Sequence, residues 1–183
     1  IQYLGGAFTL FIQTLFWIAV PPFKLRQVYE QMAKTGVDSL PISTVTSFFI
    51  GVVLAFQSAY QMQKVNAEMY IPSLVSISMT REIGPVITAL VVAGRVGASI
   101  AAELGSMKVT EQIDALEALA TNPVKYLVVP RFIALFTMLP LLTVCADMVG
   151  IFGGYIVSVY KLGLSHSMYL KMTFEPLCLK DIF

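Results

Sequence analysis

Few residues in this sequence are of a type that does chemistry, and several of those sit where a lipid bilayer would make them costly. Arg81 and Glu82 stand side by side just before Gly84-Pro85, in a stretch (69–102) whose only other charge is Arg95. Asp147 is the sole charge between Phe132 and Tyr160. Ionisable side chains at membrane depth are expensive and usually face a cavity or a partner. Two opposite charges at a helix break therefore read either as the polar part of a binding cavity or as a pair that holds a helix end. Arg81, Glu82 and Asp147 together would suit the relay of an ion-coupled carrier built on a broken helix. The internal inverted repeat that goes with such carriers is not evident.

Two further patterns carry spacing information. Gly97, Ala101 and Gly105 recur every four residues, producing a smooth strip that another helix can approach closely, in the same or an opposing subunit. Arg95 and Glu103 lie two turns apart on a related face. Between Lys108 and Pro123, the spacing predicts a short amphipathic helix over 109–120, with Thr110 as N-cap and Asn122-Pro123 closing it. Val109, Ile113, Leu116 and Ala120 share its apolar face, and Glu111, Asp114 and Glu117 form an acidic line. Such a helix is either a solvated loop element or a docking surface for a partner.

Other chemistry is missing from the sequence. There is no GxxxxGK[ST], so no P-loop nucleotide site, and neither HExxH nor GxSxG occurs. His166, between Ser165 and Ser167, reads as a surface residue. Cys145 and Cys178 are far apart in apolar surroundings, without metal-ligand spacing, and read as buried thiols. No cofactor is called for, and the chain reads as no enzyme by itself. A net charge of +1 argues against a nucleic-acid partner.

The elements that must position these residues follow from where charges are absent. Hydrophobic residues make up 57% of the 183-residue sequence and charged ones 13%, about half the usual charged share. Residues 1–23 and 39–63 carry no charge. A bilayer crossing needs about 20 apolar residues, and backbone in lipid must satisfy itself, so these stretches are expected to be helical. The fold class is all-α integral membrane protein, a single transmembrane domain.

Gln2, Gly6, Thr9 and Gln13 form a polar stripe on the first helix, which favours an interfacial position over a spanning one. No basic n-region or cleavage signature marks it as a signal peptide. Pro21-Pro22 would end it, and an amphipathic connector with Leu25, Val28, Tyr29 and Met32 on one face would stop at Gly36. Residues 1–38 are thus interfacial and connector helices. Pro41–Met62 is the first expected span, and 64–68 a polar turn. Tyr70–Leu104 is too long for one straight crossing and should break or kink at Gly84-Pro85. Gly105–Pro123 is a separate segment, Tyr126–Tyr160 the last span, and 161–183 a mixed outer segment. Lys24, Arg26, Lys34, Lys108, Lys125 and Arg131 against Lys64, Lys161 and Lys171 place the connector in the cytoplasm.

The run REIGPV, AGRVGASIAAELG, MKVTEQIDALEALATNP and PRF, flanked by FFIGVVLAFQ, LPLLTV and VGIFGGY, resembles the MlaE (YrbE-like) permeases. These are membrane subunits of ABC systems that move phospholipids between bacterial membranes. The resemblance covers about residues 40–160, and the order of several separate motifs makes it specific. It implies a homodimer in the bacterial inner membrane, on cytoplasmic ABC ATPase subunits and beneath a ring of MCE-domain proteins, with phospholipid as substrate. It implies that EQIDAL is a coupling helix, with Lys108, Glu111, Gln112, Ile113, Asp114 and Leu116 at the ATPase. It also implies that REIGP helps to line a lipid cavity, to which Leu54, Gln57, Gln61, Arg81 and Glu82 would contribute. Gln57, Tyr60 and Gln61 depart from the family pattern in making the end of the first span polar. The chain stops near Asp181, where family members continue through further helices, so it reads as lacking the last of them. An ion-coupled carrier and a non-transporting membrane anchor are the alternatives.

Overall fold

The computed structural model describes residues 2–18 and 25–175, and within them every regular element is helical, with no strand. The helices are α1 (Gln2–Ile18), α2 (Leu25–Gly36), α3 (Leu40–Gln63), α4 (Ile71–Ser78), α5 (Gly84–Val109), α6 (Gln112–Ala118), α7 (Val129–Tyr160) and α8 (His166–Phe174). Among the described residues, three helical runs are long and apolar enough to cross a membrane: Leu25–Gln63, Glu68–Val109 and Val124–Tyr160. The chain is a multi-pass membrane protein. Lys24, Pro21-Pro22, Cys178 and Asp181 lie outside the described residues.

Proline placement explains how these runs are punctuated. Pro41 and Pro72 sit in the first turns of α3 and α4, where a missing N–H leaves no ladder bond unmade. Pro85 lies where it would crowd the preceding turn, and the chain answers with a wide π turn at Met79–Ile83, closed by Gly84 N–H donating to the Met79 carbonyl. The expected break is thus a one-residue widening of a continuous run. The same device recurs at the same offset before Pro130, where Val124–Val128 form a π turn and Val129 N–H donates to Val124.

Some expected boundaries are corrected. α2 ends at Gly36 as expected, but it passes through a 3₁₀ turn (Val37–Ser39) directly into α3, with no gap between connector and span. A Cβ on Gly36 would lie 2.7 Å from Met138 Cε, the movable end of a flexible side chain. α5 continues to Val109, past the expected boundary at Gly105. The segment after Tyr160 contains α8, which packs on α4; Ser73 donates to the Met172 carbonyl and buried Tyr169 to that of Ile151. Cys145 is exposed, not buried.

The chain forms two compact units, residues 1–38 with 94–138, and 39–93 with 139–183. In the first, α1 packs on the Val124–Val128 turn, with Phe11 edge-on to Phe132 and Lys125 Nζ 5.3 Å from the Trp17 ring centre. α1 buries Thr14, while Gly6, Thr9 and Gln13 of its polar stripe are exposed. The second unit is built on small residues. Ser43, Ser47, Gly51, Ala55 and Ala59, spaced by four, form the buried face of α3. Gly51 meets the backbone of Gly150, and a Cβ on Gly153 would meet the Phe48 carbonyl. Ala55, Ala59, Ile71, Val75, Met79 and Val157 make the apolar core beside this contact.

Candidate functional site

The π turn presents Arg81 and Glu82 at the surface of its unit, whereas Asp147 on α7 is buried against Gly84. A three-residue relay is therefore not assembled: two charges are exposed and the third is enclosed, without an ion-pair partner among the described residues. On α3, Val45, Thr46, Phe49, Ile50, Val53 and Leu54 line an open apolar hollow of about 440 Å³. Gln57 and Gln61 continue the stripe of Ile50 and Leu54 by successive turns and are exposed. Leu54 is the one expected lipid-contacting residue in the wall, and Arg81 and Glu82 do not line it.

The expected docking helix is present but shorter than 109–120. It spans Gln112–Ala118, and its N-cap is Glu111 in the left-handed conformation (φ 56°), not Thr110. The Thr110 hydroxyl donates backwards to the Ser106 carbonyl at 2.8 Å, closing α5 and not opening α6. Lys108 Nζ reaches Asp114 Oδ1 at 2.7 Å and ties the end of α5 to α6. Ile113 and Leu116 are half-buried, Glu111, Gln112, Asp114 and Glu117 are exposed, and Val109 and Leu119 at the flanks are 84% and 75% exposed. An element with acidic and apolar groups both outward is suited to contact with another protein.

The strip of Gly97, Ala101 and Gly105 is open. Nothing lies within 4 Å of a Cβ on Gly97 or Gly105, so the strip packs against no described part of this chain. The close helix approach within the chain uses Gly51 and Gly150 instead, residues the spacing argument passed over.

The charge pairings of the first unit join residues distant in the sequence and carry no local signature. Glu103 accepts from Lys34 Nζ through Oε2 at 3.0 Å and from Arg131 Nη2 through Oε1 at 3.1 Å. Arg131 is buried, and its Nε and Nη1 have no hydrogen-bond partner among the described residues. Arg95 faces Asp38 at 3.8 Å. Gln31, Lys34, Asp38, Arg95 and Glu103 line a small cavity of about 80 Å³. Arg95 and Glu103 thus serve the connector helix from one face of α5. Their spacing of eight residues was the available signal, but it names no partner. Among the described residues no group of His, Cys, Asp and Glu could hold a metal ion.

Comparison with known proteins agrees with this architecture. The family model described as Permease MlaE matches residues 28–183. A probable ABC transporter permease protein of Rickettsia typhi is 47% identical over 178 residues, covering 97% of this chain and 69% of that protein. One from Synechocystis is 41% identical over 182 residues, covering all of this chain and 69% of that one. One from Porphyra purpurea is 36% identical over 183 residues, covering 70% of its length. With a family model spanning most of its length and relatives at these identities, the chain belongs to the MlaE permease family of ABC transporter permeases.

Proposed function

We propose that the chain is the membrane subunit of a phospholipid transporter in the bacterial inner membrane. It works as a homodimer on cytoplasmic ABC ATPase subunits, beneath a ring of MCE-domain proteins. The observation that carries the phospholipid reading is the α3 hollow, apolar from Val45 to Leu54 and followed along the helix by Gln57 and Gln61. A two-chain amphiphile needs that division. Each methylene removed from water gains about 0.8 kcal/mol, so an apolar wall holds an acyl chain, and amides hydrogen-bond the head. Arg81 would donate to the phosphate, and Glu82 would accept from an ammonium head or orient Arg81. α6 would pass the partner's ATP-driven motion to the spans, shifting the dimer between states that hold and release lipid.

Photo-crosslinking from positions 54, 81 and 82 to radiolabelled phospholipid, in an active complex, tests this. Labelling from all three is expected. Labelling from 54 alone would make Arg81 and Glu82 structural, and labelling from none would overturn the lipid route.

A further inference from the structure

Asp147 occupies an unusual place. Its Oδ1 takes the position that a Cβ on Gly84 would occupy, and the Met79 carbonyl oxygen lies 2.6 Å from that same point. Carboxyl and carbonyl oxygens therefore both lie beside the Gly84 α-carbon. Oδ1 is buried and has no hydrogen-bond partner among the described residues.

Among the described residues, the surroundings of Asp147 supply more oxygens and no ion-pair partner. Thr88, one turn after Gly84 on the same side of α5, is fully buried, and its hydroxyl has no hydrogen-bond partner among the described residues. Ser43 and Ser47 on α3 are buried, their hydroxyls likewise without a partner among the described residues. The Ser47 carbonyl lies 3.1 Å from a Cβ position on Gly150, one turn from Asp147 on α7. Thr88 is thus one turn from Gly84, which Asp147 touches, and Ser47 packs on Gly150, one turn from Asp147. α3 and α4 carry no charged residue, the only other charge on α7 is Arg131, more than four turns before Asp147, and Arg81 and Glu82 on the π turn are exposed.

An isolated carboxylate held among acceptor oxygens in an apolar bundle is strongly unfavourable. A single bound positive charge removes the conflict. We infer that Asp147, the Met79 carbonyl and the hydroxyls of Ser47 and Thr88 form a binding site for one monovalent cation, a proton or Na⁺. As a proton site, Asp147 is a neutral acid whose O–H donates towards the Met79 carbonyl. As a sodium site, the same hard oxygens replace the ion's water. Occupancy decides whether α7 and the π turn attract or repel at this point. The inference does not depend on what the permease carries.

Infrared spectra of the full-length permease in lipid nanodiscs, wild type against Asp147→Asn, test it in sodium-free choline buffer at neutral pH and again after adding NaCl. A protonated-carboxyl band in sodium-free buffer, absent from Asp147→Asn, identifies the proton. Its disappearance on adding Na⁺, with a saturable rise in Tm that Asp147→Asn lacks, identifies Na⁺ as the occupant. An ionised Asp147 in sodium-free buffer with no sodium-dependent rise in Tm overturns the site. Should Asp147→Asn fail to fold, Ser47→Ala and Thr88→Val serve in its place. Each is expected to shift the proton or sodium titration midpoint at least threefold, and unchanged midpoints in both overturn the assignment.

Discussion

Gly51 and Gly150 touch backbone to backbone: a Cβ on Gly51 would overlap the carbonyl oxygen and carbonyl carbon of Gly150. Neither atom can rotate away as a flexible side chain would, so the two helices themselves must part. Overpacking a core usually costs about 1–3 kcal/mol, and a rigid backbone neighbour puts this site at or above the upper end. Gly51→Ala should lower Tm clearly, and Gly51→Leu should yield little folded protein. Thermal unfolding in detergent measures both, and a wild-type Tm for Gly51→Ala would show that α3 and α7 are not in contact here.

The contrast between the two glycine strips shows how far the sequence could be read. Gly97, Ala101 and Gly105 have the same small-residue spacing as Gly150 and Gly154, yet the first strip is open and the second is enclosed. Spacing reveals that a helix has a smooth face, but not what covers it, because that depends on contacts distant in the chain. The spans were legible because the absence of charge over 39–63 is a local property. The π turns were not: Gly84-Pro85 announces a missing donor, but whether the helix bends, breaks or widens depends on its neighbours. Lys34 and Glu103 are 69 residues apart, and nothing local couples them. Thr110 has the chemistry of an N-cap, but its hydroxyl found the carbonyl behind it first.

The pairing of Glu103 with Lys34 and Arg131 makes a second prediction. Arg131 is the buried member, and Glu103 is its one ion-pair partner among the described residues. Glu103→Ala would leave that guanidinium without a counter-charge, a loss of about 3–5 kcal/mol. Arg131→Met on the Glu103→Ala background should recover part of it. A double-mutant cycle on Tm checks this, and simple additivity of the two losses would show that the residues do not interact.

Tyr169 gives a pH dependence. Burial pushes its phenol up to about 12, against about 10 for a free tyrosine. The folded state holds this proton more tightly than the unfolded state. Its stabilising contribution is therefore complete below pH ~10 and is lost as pH rises towards 12, by at most about 3 kcal/mol. Tyr169→Phe should be somewhat less stable at pH 8, having lost the donor to Ile151. Its Tm should then fall less than that of the wild type between pH 9.5 and 11, and parallel declines would remove the effect from this residue.

If α6 docks on an ATPase, its outward groups should decide the affinity. Glu111→Lys reverses a charge at an exposed position, and Ile113→Asp puts a carboxylate into the half-buried apolar face. An unpaired charge in a closed interface costs several kcal/mol, which takes a modest complex to dissociation. Ile113→Asp should abolish co-purification of the ATPase, and Glu111→Lys should weaken it about tenfold. Wild-type binding by both variants would move the docking surface elsewhere.

The open strip leads to the opposite expectation from Gly51. Since nothing in the described chain lies within 4 Å of a Cβ on Gly97, a larger side chain there meets no neighbour in its own chain. In an exposed helix interior Leu is favoured over Gly by roughly 0.5–1 kcal/mol, so Gly97→Leu should leave the subunit's own Tm unchanged or slightly raised. In a homodimer that uses the strip, the same side chain would hold the two copies apart, because small residues are what let helix backbones close on each other in lipid. The expected signature is a folded subunit with normal yield that runs as a monomer in size-exclusion chromatography with light scattering, where the wild type runs as a dimer. A dimeric, active Gly97→Leu protein would place the strip against lipid, and the subunit contact would then belong to another face.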